Sequence, residues 1–217
     1  MSIHQAALEG DLAEVQRFLQ DGQVDVKDAD GRTALHWACV HGNPGLCRLF
    51  LDRGADADAQ DDGGWTPIMI SIAAKHQAAS EMLLAVPVNV SVVNRGGQTL
   101  LHPACIKQLL WAVDALLDSD AGRKLVRIKD RQGQLPLHRA AAVGSLAIVK
   151  RLIASGSPMS TTDAGGWTPM HHACAEGHGD VAAYLIDQGA DADKLDADGK
   201  TPIQLCDDKV KTFLTQS

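Results

Sequence analysis

From Gly166 to Ala173 the chain reads G-W-T-P-M-H-H-A, and versions of the same phrase return along its length. They are R-T-A-L-H-W-A from Arg32, W-T-P-I-M-I from Trp65, Q-T-L-L-H-P-A from Gln98, Q-L-P-L-H-R-A from Gln134 and K-T-P-I-Q-L from Lys200. The glycines ahead of them, Gly31, Gly64, Gly97, Gly133, Gly166 and Gly199, lie 33, 33, 36, 33 and 33 residues apart. A weaker start stands at Ile3-His4-Gln5-Ala6. A fixed period means units whose apolar faces are buried only by stacking on neighbours, so function is expected on a surface rather than in a pocket.

A 33-residue period carrying T-P-L-H-x-A is the ankyrin signature. The expected fold is all-α: an ankyrin-repeat solenoid of seven helix-turn-helix units joined by β-hairpin turns. The units start near residues 3, 33, 66, 99, 135, 168 and 201, in one domain over 1–217. Thr33, Thr66, Thr99, Thr168 and Thr201 are suited to cap the first helix of a unit, and Pro67, Pro169 and Pro202 to its first turn, where a missing N–H costs nothing. Apolar spacing in Leu46, Leu49, Phe50 and in Leu146, Ile148, Val149, Leu152, Ile153 marks the second helix. Gly54, Gly156 and Gly189 stop it, since a left-handed C-terminal cap favours glycine. The segments Asp58 to Gly64 and Asp196 to Gly199 carry the Asp/Gly chemistry of tight turns. The third unit has Met69 for the motif histidine and Pro87 for the closing glycine, so it should be the least regular. The extra residues of the 36-residue interval fall in the polar stretch Asp118 to Lys124, expected to bulge out without touching the stack.

Composition narrows the function. Apolar residues make up 45% of the 217, as in soluble proteins, and runs such as Pro67 to Ile70 are far too short to span a bilayer. Residues 2–20 alternate polar and apolar and carry three acids, which does not read as a secretory leader. Cys39, Cys47, Cys105, Cys174 and Cys206 make an odd count that argues for a reducing compartment. Three of them, Cys39, Cys105 and Cys174, fall three residues after the motif histidine position and read as small core hydrophobes. The net charge of −7 conceals blocks. Glu9 to Asp62 has 12 acids and 5 bases, Arg123 to Arg151 has 8 bases and 1 acid, and Asp163 to Asp208 has 10 acids and 2 bases. Such blocks are either plain solvated surface or the complement of a patterned partner. The acidic blocks disfavour nucleic acid.

No phosphate-binding glycine loop, G-x-S-x-G or HExxH occurs, so no enzyme, cofactor or metal is expected. The cluster His171, His172, Cys174 and His178 has zinc-binding side chains, but repeat grammar accounts for its closeness. What remains is the face of hairpin tips and first helices. One column reads Arg32, Trp65, Gln98, Gln134, Trp167, Lys200, and Arg and Trp are over-represented among binding hot spots. Trp65 and Trp167 can alternatively brace the adjacent hairpin. A second column reads His41, Ala74, Lys107, Val143, Glu176, Lys209.

The segment V-R-I-K-D-R-Q-G-Q-L-P-L-H-R-A-A-A-V-G-S-L from Val126, G-W-T-P-M-H-H-A-C-A-E-G-H-G-D from Gly166, and the D-x-D-G-R-T-A-L-H-W-A-C stretch from Asp28 resemble the gankyrin family, with A-E-G-H-G-D closer to its fungal members. The resemblance runs over essentially the whole chain. It implies a chaperone of proteasome regulatory-particle assembly that holds the C-terminal domain of one base AAA-ATPase subunit of the 26S proteasome through charge pairs. It also implies a monomer when free, present in cytoplasm and nucleus, with no nucleic acid, membrane or cofactor. The runner-up is a generic ankyrin adaptor or kinase-inhibitor type. Carried over by position, the contact residues are Asp30 and Arg32 on the first hairpin, Asp62 and Trp65 on the second, and Lys107 in the fourth unit; Trp37 and Trp167 complete the set. Arg32 and Lys107 are both expected to face solvent. Animal members also have L-x-C-x-E, linked to retinoblastoma-type pocket proteins; here His172-Ala173-Cys174-Ala175-Glu176 lacks the leucine, and the resemblance does not carry that partner over.

Overall fold

The computed structural model describes residues 1–216. The chain divides into two compact units, Met1–Gly96 and the stretch from Gly97 onward. The first unit holds three helix pairs: α1 Ile3–Glu9 with α2 Leu12–Gln20, α3 Ala34–His41 with α4 Pro44–Asp52, and α5 Pro67–Ala73 with α6 Gln77–Leu84. First helices pack on first helices, α1 on α3 and α3 on α5, while α4 packs on α6. The layers close over Leu35, Leu46, Phe50, Ile68 and Leu83, all fully buried.

The second unit repeats the plan with α7 Leu101–Ile106 and α8 Leu110–Leu117, an added α9 Asp120–Lys124, α10 Pro136–Ala142 and α11 Leu146–Ala154, α12 Pro169–Ala175 and α13 Gly179–Asp187, and α14 Pro202–Leu205 and α15 Asp208–Gln216. Here α7, α10, α12 and α14 form one row, and α8, α11, α13 and α15 the other.

The motif places each first helix and ties it to the next repeat. The Thr33 amide donates to His36 Nδ1 at 3.0 Å, which leaves the proton on Nε2, and that nitrogen meets the carbonyl of Trp65 at 3.0 Å. His102 reaches Gln134, His138 reaches Trp167 and His171 reaches Lys200 in the same way, at 3.1, 3.2 and 3.3 Å. These rings are buried and their Nδ1 is already an acceptor, and loss of hydration of the charged form depresses the pKa of His36, His102 and His171 and takes that of His138 down to about 4. Met69, in the third repeat, is a buried apolar filler, and Thr66 caps that helix through its own hydroxyl to the Met69 amide.

Among the described residues there is no β-strand; the hairpins are tight turns. Each closes with a backbone bond such as Asp61 N–H to the Trp65 carbonyl at 3.0 Å, and neighbouring turns share a single bond, Asp62 N–H to the Asp30 carbonyl or Ala164 N–H to the Gln132 carbonyl. The turn glycines sit at positive φ, Gly64 at 76° and Gly133 at 76°; a Cβ on Gly64 would come within 2.8 Å of the Arg95 nitrogen, so both backbone sign and space call for glycine.

The stretch Asp118 to Lys124 does not bulge free. It forms α9, in which Gly122 is buried so closely that a Cβ would collide with the Leu116 carbonyl, and Arg123 donates to the Leu117 carbonyl at 3.2 Å. The third repeat is regular in its helices; the turn between them places Lys75 at φ of 65°, where most repeats have glycine.

Candidate functional site

The turns are held by a carboxylate three residues before each glycine: Asp28, Asp61, Asp130, Asp163 and Asp196, with Asn94 in the third position. One oxygen of each aspartate accepts two amides of its own turn. Asp61 Oδ1 takes Gly63 and Trp65 at 2.8 and 2.9 Å, and Asp163 Oδ1 takes Gly165 and Trp167 at 2.9 and 3.0 Å. In Asp28, Asp130 and Asp163 burial pushes the carboxyl up, but the hydrogen bonds outweigh it and hold it below its usual range. Asp196 is held low chiefly by the Lys200 amide. The second oxygen of Asp61, Asp163 and Asp196 holds a side chain of the exposed column, and that of Asp28 and Asp130 a side chain of the first helix, Trp37 and Arg139. Sequence reasoning missed this set, although its signal, an Asp or Asn at glycine minus three in six turns, was available.

In the first unit the second oxygens organise a cation. Asp28 Oδ2 accepts the Trp37 indole N–H at 2.7 Å, and Asp61 Oδ2 accepts Arg32 Nε at 3.3 Å. The Arg32 guanidinium then lies 5.0 Å from the centroid of the Trp37 ring, a cation–π arrangement. Its two terminal nitrogens have no acceptor among the described residues. Arg32 is therefore half-buried, its side chain 30% exposed, rather than fully solvent-facing as its place in the exposed column implies. Beside it opens a cleft of about 330 Å³ lined by Arg32, Trp65, Ile70, Ala73 and Ala74. Asp30 and Asp62 are exposed at the tips, the Asp62 carboxylate lying over Gly31. The structure thus brings Asp30, Arg32, Trp37, Asp62 and Trp65 onto two adjacent turns and the helix behind them.

In the second unit the same oxygens hold a mixed set: an amide, a histidine, an indole and one arginine. Asp163 Oδ2 accepts Gln134 Nε2 at 3.0 Å and lies 2.9 Å from His172 Nε2. Asp130 pairs with Arg139 at 2.8 Å. Trp167 donates its indole N–H to Asp196 at 3.0 Å, stacks on His171 and meets His172 edge-on, so its ring braces the following turn. Lys107 closes α7 and is exposed, with no side-chain partner among the described residues.

The histidines near Cys174 are each committed: His171 to Thr168 and Lys200, His172 to Asp163, and His178 to the Ala142 carbonyl at 3.1 Å. Cys174 is buried and its thiol is pushed well up by burial. Among the described residues no three His, Cys, Asp or Glu side chains group closely enough to hold a metal.

A profile of ankyrin repeats in three copies matches residues 3–94, 49–127, 82–163 and 137–211. The probable 26S proteasome regulatory subunit p28 of Saccharomyces cerevisiae is 35% identical over 161 residues, 71% of this chain and 69% of that protein. The ankyrin repeat-containing protein C6C3.08 of Schizosaccharomyces pombe is 42% identical over 156 residues, 69% of this chain and 66% of its own length. Among solved structures, the ankyrin repeat domain of Bcl-3, a member of the IkappaB family, superposes with a TM-score of 0.79 at 25% identity, covering 99% of this chain and 98% of that one.

Proposed function

The chain belongs to the ankyrin-repeat proteins and, within them, to the gankyrin family, and from that premise we propose that it is a protein-binding chaperone of proteasome assembly. Its reading is that of a non-enzymatic holder of the C-terminal domain of one base ATPase subunit during assembly of the 19S regulatory particle, acting in cytoplasm and nucleus. The observation that carries it is the likeness, over most of both chains, to a yeast protein described as a proteasome regulatory subunit. The first unit adds a chemical argument. Arg32 is oriented by Asp61 and Trp37 and keeps its terminal N–H groups for an incoming carboxylate, the bidentate geometry in which Arg excels. Lys107 offers a second, mobile cation, and Asp30 and Asp62 offer carboxylates to basic groups. Occupancy of the ATPase domain by such a surface would keep the ring from docking early, with no cofactor required.

Direct binding to the isolated ATPase C-terminal domain tests the reading. Because Arg32 also serves its turn, Arg32→Gln is the informative change there, and Lys107→Glu the informative reversal. Together they should weaken binding at least tenfold, while Arg53→Glu, an exposed cation at the close of α4, should change it less than twofold. Absence of binding by the unmodified protein, or equal loss in the control, would sink the assignment and favour a general ankyrin adaptor.

A further inference from the structure

The chain from Arg123 to Arg131, R-K-L-V-R-I-K-D-R, carries five cations and one acid. Its inward residues nail it down. Leu125 and Val126 are buried, the Val126 carbonyl accepts the Ser157 hydroxyl at 3.2 Å, and Gly122 just before them is pressed on α8. The acid is withdrawn from the surface: Asp130 caps its turn, pairs with Arg139, and leaves 2% of its side chain exposed. Arg123, Lys124, Arg127, Lys129 and Arg131 are all exposed, with Ile128 among them at 39%. Arg123 is spent on Asp120 and Lys129 on the Thr162 carbonyl. Lys124, Arg127 and Arg131 have no hydrogen-bond or ion-pair partner among the described residues. Arg127 reaches over Gly156 at the close of α11, and the loop beyond it, residues 156–162, contains no charged residue. The result is a net positive strip on a fixed backbone, in a chain of net charge −7.

We propose that this strip docks a short, extended, carboxylate-rich segment of a protein partner, through residues other than Arg32 and Lys107. Three observations favour that occupant. The cations are presented from a pinned backbone, so binding has to order their side chains but not the segment that carries them. The apolar Ile128 between the cations suits a side chain interrupting an acidic run. Acids flank the strip, Asp114, Asp118 and Asp120 before it and the block from Asp163 after it, so a long polyphosphate would run into like charge, whereas a short acidic peptide would not.

The test is fluorescence anisotropy of a labelled ten-residue peptide, nine glutamates around one central leucine, titrated with the full chain at low and at physiological salt. Binding should be measurable at low salt and fall with added salt. Arg127→Glu with Arg131→Glu should raise Kd at least tenfold, and the triple truncation of Lys124, Arg127 and Arg131 to alanine should do so even if the reversal perturbs folding, which circular dichroism reports. Lys200→Glu with Lys209→Glu, in and just after the acidic block, makes the same change in net charge and should alter Kd less than twofold. No binding at low salt, an equal loss in that control, or equal or tighter binding of a ten-nucleotide oligothymidine would each overturn the proposal.

Discussion

Asp61 in the first unit and Asp163 in the second hold the same turn with the same oxygen, yet use the other oxygen differently. Asp61 steadies a permanent cation, Arg32, whereas Asp163 is shared between an amide, Gln134, and a histidine, His172. The backbone frame is thus common property, and the second carboxylate oxygen is where one repeat comes to differ from the next. It also separates the two turns chemically: the group held at Asp61 is a cation that pH does not alter, while those held at Asp163 are an amide and a histidine.

The largest expected effect comes from removing the shared frame. Asp61→Ala and Asp163→Ala each strand two turn amides together with the side chains at the second oxygen, and each should cost on the order of 3–4 kcal/mol in urea unfolding. The asparagine variants keep one oxygen for the amides but lose the charge and the second acceptor, so they should cost less than the alanine variants, about 2 kcal/mol. If Asp61→Asn proved as damaging as Asp61→Ala, the ion pair rather than the turn would be the stabilising element, and the comparison would fail.

Much of this was legible in the sequence. The glycine period, the threonine caps and the motif histidine fixed where helices begin and which side chains stack, because those roles depend on local backbone chemistry that repeats. The candidate residues were found one column at a time, yet the column at glycine minus three passed unread: an Asp in a turn looks like ordinary turn composition, and only the fold shows that its two oxygens serve different masters. Arg32 read as fully exposed for the same reason, since its partner Asp61 lies 29 residues away on the next turn. The insertion after α8 looked free because five of its seven residues, Asp118 to Lys124, are polar or charged; its anchoring depends on Gly122 having no side chain, which sequence pattern does not reveal.

A smaller effect distinguishes the two units by acid. His138 stays neutral down to about pH 4 in the folded chain and accepts a proton near 6.5 when unfolded. Between those values the unfolded state binds the extra proton, so the stabilisation is whole above pH 6.5, declines as pH falls, and is gone below about 4, an effect on the order of 3 kcal/mol. His36, in the first unit, is shifted in the same direction by burial, but the second unit carries three such histidines. Hydrogen exchange at pH 5 against pH 7.5 should therefore show protection lost first in α10 and α12 and later in α3 and α5. His138→Met, which copies the third repeat, should flatten the pH dependence while lowering stability at neutral pH. Equal acid sensitivity of the two units would remove the distinction.

The smallest effect concerns the turn between the two helices of a repeat, and it cuts across both units. Gly42 and Gly144 take φ of 75° and 70°, and in each case a histidine of the following repeat lies on top: a Cβ there would come within 2.4 Å of His76 or His178. Glycine at these two sites answers both the backbone and the neighbour. Lys75 and Gln108 adopt the same left-handed conformation, at 65° and 57°, without being glycine, and so carry the steric cost of a Cβ against the following carbonyl. For Gln108, the residue standing where His178 stands is the small Ser145, and its amide reaches the Val143 carbonyl at 3.3 Å, a partial return for the strain. Lys75 is exposed and has no such bond. Lys75→Gly should then stabilise the chain by about 1 kcal/mol and Gln108→Gly by less, read as a shift in urea midpoint at constant slope. Gly144→Ala should destabilise by more than either gains, because it adds the clash with His178 to the backbone strain. A loss of stability in Lys75→Gly would mean that the entropy of the added glycine outweighs the strain it relieves, and that the left-handed turn is comfortable in any repeat whose neighbour leaves it room.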